Sequence, residues 1–248
     1  MLSPLIAVHL SDGVLNWPWH LCGFVVALKL LTWGSRNITD EEIPRIGMIA
    51  AVFFISSQIH LSLGPSSVHL LLNGLAGVIL GKRAVIAIAV GLFLQMALLG
   101  HGGYWTLGLN LCIMALPSLF AGRIYKRFLY QKQDGIYLYS MLIAFFYMLH
   151  PQIAVPIAVL AACRIYFQTD PVGPHVFRAG FAVGFMCVVL TVLGNCLVLI
   201  LGGNEDWTFV AVAVFVAHLP VALLEGLIVG YIMRFLARAR PEVLPNSS

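Results

Sequence analysis

Two histidines stand where an otherwise apolar chain meets water. His9 lies in Val8-His9-Leu10-Ser11-Asp12-Gly13, ahead of the first long apolar segment, and His69 closes Gly64-Pro65-Ser66-Ser67-Val68-His69, at the mouth of another. Imidazole suits nickel, copper, zinc and cobalt, whereas magnesium and calcium take oxygen ligands. A histidine that is second in a mature chain has a further option. The terminal amine, the deprotonated amide of that histidine and its ring nitrogen form two fused chelate rings, with three nitrogens close to one plane. One more histidine then completes a square-planar N4 set, a geometry that favours Ni(II), Cu(II) or low-spin Co(II). The competing reading of each histidine is an interfacial polar contact or a helix cap, and spacing alone does not separate the two.

The elements that must position these residues are membrane helices. The chain has 248 residues, 60% hydrophobic and 10% charged, with a mean hydropathy of +0.95; a soluble domain carries about 25% charged residues. The fold class is therefore an all-α polytopic membrane protein, a single integral domain over 1–248 with little room for a separate soluble one. Five cysteines, Cys22, Cys112, Cys163, Cys187 and Cys196, fall in apolar runs with no C-x-x-C pair and read as small packing residues. The first eight residues lack a basic flank and are too short for a secretory apolar core, so no signal peptide is expected.

A span needs about 20 mostly apolar residues. About seven segments qualify: 14–34, 44–63, 68–82, 84–100, 104–126, 176–202 and 207–234, the third and fourth short enough to be tilted or enclosed by neighbours. With the N-terminus outside and the C-terminus cytoplasmic, every Lys and Arg falls on or near the inner side and the outer segments hold none, a strong positive-inside pattern. Residues 1–13 then form an external metal-binding segment and 241–248 a short cytoplasmic tail. An extra apolar insertion, 137–166, is broken at His150-Pro151; one crossing there would put Arg234, Arg238 and Arg240 outside, so two short helices entering from the inner face, or two crossings, are expected.

This orientation gathers His9, Asp12, the 60–69 segment, His101-Gly102-Gly103 and Asn204-Glu205-Asp206 on an outer face without fixed positive charge. Such a face attracts cations, and anions or nucleic acid do not fit it. Asp12 either orients an imidazole N–H or is a turn residue before Gly13. Asn110 reads as a loop-fixing or supporting group. Ser66 and Ser67 are placed to cap the third helix and so aim His69. His218 and Glu225, seven apart, share a helix face; an ionisable pair in a membrane is costly and is read as structural or coupling. Gly74, Gly77 and Gly81 form a small-residue stripe for close packing, within the fold or against a partner.

Four ordered blocks carry a resemblance. They are His9-Leu10-Ser11-Asp12-Gly13-Val14-Leu15; Gly64-Pro65-Ser66-Ser67-Val68-His69 with the run to Gly81; Gln95 to Gly103 followed by Leu107-Gly108-Leu109-Asn110 and Ala115-Leu116-Pro117-Ser118; and Ala217-His218-Leu219-Pro220 to Glu225-Gly226, ending at Arg238-Ala239-Arg240-Pro241-Glu242. In these the chain resembles the CbiM/NikM family, the substrate-capture membrane components of cobalt and nickel energy-coupling-factor transporters. The resemblance implies a seven-span fold with an external N-terminus. It also implies a metal held by the terminal amine, by the amide and ring of a second-position histidine, and by a later histidine, positions matched here by His9 and His69. One departure is that the histidine is residue 9. A GTG start codon at Val8 would give a mature chain beginning Met-His-Leu-Ser-Asp-Gly, with its backbone amine as the missing ligand. Another is His101, where the family often has a different residue; a third is the 137–166 insertion.

The chain has no G-x-x-x-x-G-K-[ST] phosphate loop, so it cannot power transport itself. The leading reading is a non-enzymatic capture subunit in the cytoplasmic membrane. It takes Co²⁺ or Ni²⁺ as transported ligand rather than cofactor, and cobalt would feed cobalamin synthesis. The resemblance implies a transmembrane coupling subunit, cytoplasmic ATPases and a small accessory membrane subunit as partners. Ligand residues are His9, His69 and, only where Val8 is the mature N-terminus, its backbone amine, with Asp12, Ser67, His101 and Asn110 as supporting candidates. The alternatives are an intramembrane metalloenzyme, which needs an open metal position and a general base, and a passive divalent-cation channel, which needs acidic rings within the spans.

Overall fold

The computed structural model describes residues 9–63, 66–130 and 173–245, with side chains given for all of these except 60–68, 173 and 174. Helix α1 (Trp17–Ser35) opens with Pro18 in its first turn, where a missing N–H costs nothing. Helix α2 (Glu42–Ser56) ends where the Ser56 and Ser57 hydroxyls donate back to the Phe53 and Phe54 carbonyls, at 2.9 and 2.6 Å. Strands β1 (His60–Leu63) and β2 (Ser66–His69) pair antiparallel, His60 opposite His69. Then come α3 (Asn73–Leu80), a 3₁₀ turn (Gly81–Arg83), α4 (Ala84–Leu99), α5 (Leu107–Tyr130), α6 (Gly173–Gly202) and α7 (Thr208–Ala239), closed by a 3₁₀ turn at Pro241–Val243.

Four stretches, Asn73–Leu99, Leu107–Tyr130, His175–Gly202 and Thr208–Ala239, are long and apolar enough to cross a membrane. The first is a hairpin rather than a rod. As one α-helix its 27 residues would separate the ends by about 40 Å, yet the His69 and His101 rings that flank it lie 6.5 Å apart. The reversal falls at Gly81, whose φ of +55° suits glycine. With eight residues, α3 is only about 12 Å long, and Asn73 to Val78 are all buried among α4, α5 and α6. Non-helical backbone at membrane depth is tolerated where protein encloses it. At Gly77 a Cβ would run into the Ser118 carbonyl and Ala121, and at Gly74 it would press on Val183 and Cys187. Gly74 and Gly77 of the small-residue stripe therefore pack within the fold, whereas a Cβ at Gly81 would meet nothing within 4 Å.

Two expected spans are corrected. Residues 44–63 are helical only to Ser56, because the serine hydroxyls close the helix and the chain then pairs as β1. Residues 68–82 begin as strand and turn helical only at Asn73. The expectation for 137–166 lies outside the described residues.

One end of the bundle is formed by residues 9–16, 57–63 and 66–72, 100–106 and 203–207, which contain no Lys or Arg. Trp17, Tyr104, Trp105 and Phe209 are exposed there, as in the aromatic belt of a membrane interface. The opposite end holds Arg83 and the α1–α2 loop. Tyr125 of α5 packs there with Val176 of α6 and Met233 of α7, so α5 ends and α6 begins at the same end.

Candidate metal centre

The segment carrying His9 is clamped from both sides. On one flank, the Leu10 N–H donates to Asn110 Oδ1 (2.9 Å), and the Leu10 carbonyl accepts from Asn110 Nδ2 (3.0 Å) and Thr106 Oγ1 (2.7 Å). The Asp12 carboxylate accepts the N–H groups of Tyr104 (2.9 Å), Trp105 (3.0 Å) and Thr106 (3.2 Å), which lead into α5. Gly103 permits this, since a Cβ there would collide with Asp12. On the other flank, Asn16 N donates to the Gly202 carbonyl (2.9 Å), and Asn204 donates to the Val14 carbonyl through its N–H (3.1 Å) and to the Gly13 carbonyl through its side chain (2.8 Å). Leu10, Val14 and Leu15 are buried against Leu109, Ile113 and Leu199.

This clamp buries His9 to 6% exposure, and neither ring nitrogen has a hydrogen-bond partner among the described residues. Buried polar atoms are nearly always paired, and each exception calls for an explanation. Burial first, then the neighbouring His69, His101 and His218, holds the His9 pKa well below its ordinary value of 6.5, so the ring is neutral at pH 7 and keeps a lone pair for a metal. The His69 ring, also buried, stacks on His9 with centroids 4.9 Å apart and planes 18° from parallel. Its Nδ1–H donates to the Leu70 carbonyl (3.1 Å), which leaves the lone pair on Nε2. His218 is buried on α7; its Nδ1–H donates to the Val214 carbonyl (2.7 Å), and its Nε2 has no partner among the described residues.

Among the described residues no three His, Cys, Asp or Glu side chains already surround one point. Stacked rings cannot aim their in-plane lone pairs at a common atom, so ligation requires one ring to turn about its Cβ–Cγ bond.

With this geometry in view, the chain matches the family model described as CbiM, cobalt uptake substrate-specific transmembrane region, over residues 9–163 and 143–243. The chain belongs to the CbiM family. It is a multi-pass membrane protein, and the family is one of transport components. A protein of Haemophilus influenzae named a putative metal transport protein is 30% identical over 237 residues, covering 96% of this chain and 97% of its own length. The cobalt transport protein CbiM of Sorangium cellulosum is 27% identical, covering 96% and 94%. A putative fused cobalt transport protein CbiMQ of Methanocorpusculum labreanum is 25% identical over 95% of this chain and 36% of its own length. Two crystal structures share the fold, each at a TM-score of 0.63 and 16% identity: a truncated transition metal transporter, over 92% of this chain and 97% of that one, and a transition metal transporter, over 93% and 92%.

Against the residues singled out in this CbiM-family sequence, the structure brings His9, His69 and His101 together. Asn110 pins the backbone of Leu10, next to His9, and Asp12 caps the approach to α5 instead of orienting an imidazole. The capping role expected of Ser66 and Ser67 is corrected: both lie in β2, and α3 has no side-chain cap of its own. Glu225 of α7, fully buried, instead holds the turn between His69 and α3, accepting the Leu71 N–H and, at 2.9 Å, the Leu72 N–H. The turn it holds contains Leu72 at φ +49° and follows directly on His69. Asn73 extends the anchoring, donating to the Met114 carbonyl (3.0 Å) and Thr191 (2.9 Å); a polar residue inside an apolar run was its only trace in the sequence. Val8 and the Ser67 side chain lie outside the described residues.

Proposed function

We propose that this chain is the metal-capture subunit of an ATP-driven importer, with its N-terminus outside and the histidine end of the bundle facing the exterior. The observation that carries this reading is His9, buried with both ring nitrogens unpartnered among the described residues and its ring centroid 4.9 Å from that of His69, at an end without a lysine or arginine among its described residues. The transported ion is Co²⁺ or Ni²⁺, and cobalt would serve cobalamin synthesis. His9 and His69 supply imidazoles; where Val8 is the first residue of the mature chain, its amine and the His9 amide add two more nitrogens. Cytoplasmic ATPases supply energy through a coupling subunit in the cytoplasmic membrane, and a small accessory membrane subunit joins them. The relative named as a fused CbiMQ supports a physical partnership with the coupling subunit.

The metalloenzyme alternative needs a free carboxylate beside the metal. The carboxylates of Asp12 and Glu225 are both committed to backbone N–H groups, which weighs against it. The deciding experiment is uptake of radioactive Co²⁺ and Ni²⁺ by cells expressing the chain with or without its ATPase partners. Accumulation requires both. Accumulation with the chain alone would turn the reading into a passive channel.

A further inference from the structure

We propose that His101 is a third imidazole ligand of this centre, so that the chain holds its metal with three histidine rings. The inference rests on the metal-capture reading above and goes beyond its two histidines. With a metal–nitrogen bond of about 2.0–2.1 Å, two imidazoles on one ion have ring centroids no more than about 6.5 Å apart. The His9–His69 pair, at 4.9 Å, lies inside that reach, and the His69–His101 pair, at 6.5 Å and parallel within 3°, lies at its edge. That edge is reached only by imidazoles on opposite sides of an ion, so ligation by all three rings requires the His101 ring to turn toward the His9–His69 pair.

The loop is built to deliver this ring. His101 sits between Gly100 and Gly102, at φ +67° and +79°, conformations that residues with a Cβ rarely adopt. Its N–H donates to the Gln95 carbonyl in the last turn of α4 (3.2 Å), fixing the base of the side chain. Gly102 lies so close to the His9 segment that a Cβ there would sit 3.8 Å from His9 Cβ and 3.3 Å from Asn110 Nδ2. His101 is half-buried while His9 and His69 are buried, so its ring stands at the mouth of the centre, where an arriving ion meets it first.

The consequence is a choice of ion. Three neutral imidazoles with an open fourth position suit four- or five-coordinate Co(II) or Zn(II), whereas a planar amine–amide–imidazole set suits Ni(II). With His101 as ligand, a Co(II) site no longer depends on a free amine at residue 8.

X-ray absorption on the purified full-length chain loaded with Co²⁺ counts coordinated imidazoles directly. Three or more are expected in the wild type and one fewer in His101→Gln, with Co²⁺ affinity down by about 10- to 100-fold. Two imidazoles in the wild type overturn the proposal, and that count stands even if His101→Gln does not fold. Unchanged affinity and count in a folded His101→Gln overturn it too. Titrations of His9→Ala and His69→Ala separate the two levels. If both bind as the wild type does, the metal-capture reading itself fails; if both lose the metal while His101→Gln does not, only the third ligand fails.

Discussion

At His9 the cost of burial and the benefit of ligation meet. A buried polar atom without a partner costs about 1–3 kcal/mol, and His9 carries two such atoms; the proposed metal would satisfy one of them. The residues around it are spent on geometry. Asn110 and Asp12 fix backbone, and Glu225 holds the turn after His69 from a different helix. Glu225→Gln turns one acceptor oxygen into an NH₂ facing a backbone N–H. We predict a folded protein whose metal affinity falls by about 10- to 100-fold, the range for groups that orient ligands; titration together with circular dichroism checks both halves. His9 and His69 are legible in the sequence because imidazole in front of apolar segments is uncommon and suits few ions. The role of Asp12 is not legible, because its acceptors bind N–H groups around position 105, and any Asp before a Gly reads as a turn. His101 is underrated for the same reason: its nearness to His69 exists only once α3 and α4 fold back on each other.

That hairpin is the element that decides the architecture. It carries His69 at its start and His101 at its end, and its 3₁₀ turn is tied down by one side chain. Buried Arg83 donates to the carbonyls of Gly34 (2.6 Å), Arg36 (2.7 Å) and Asn37 (2.6 Å) and pairs with Glu42 (2.9 Å) at the start of α2. Arg83→Gln strands these carbonyls and is expected to cost about 2–4 kcal/mol, read as a lower thermal midpoint in detergent. The Arg83 hydrogen bond, then that of the Thr39 N–H, holds the Glu42 carboxyl below its ordinary value of 4.5. The unfolded chain therefore takes up this proton first. The contribution is complete above pH 4.5, fades as pH falls through the folded value, and is absent in Glu42→Gln. Apolar runs and lysine–arginine placement made the long helices readable. The β1–β2 pair and the short α3 were not, since a continuous apolar run looks alike whether it crosses the membrane or is enclosed by neighbours.

Across the whole molecule, the separation of lysine and arginine from the His9–His69 end underlies the proposed orientation. The histidine end has no described lysine or arginine, while Arg83 and the ends of α5 and α7 crowd the other. Single cysteines introduced as Asn204→Cys and Lys82→Cys, on a background with the native cysteines replaced, test the orientation. An impermeant maleimide should label position 204 in intact cells and position 82 only after permeabilisation; the reverse pattern would invert the topology. The claim on which everything else rests is that His9 and His69 bind the transported metal. Its most direct test is titration of the purified chain, its N-terminus defined by mass spectrometry, with Co²⁺ and Ni²⁺ against His9→Ala and His69→Ala. The account predicts one ion per chain and loss of binding in both variants. Wild-type affinity in both would contradict it.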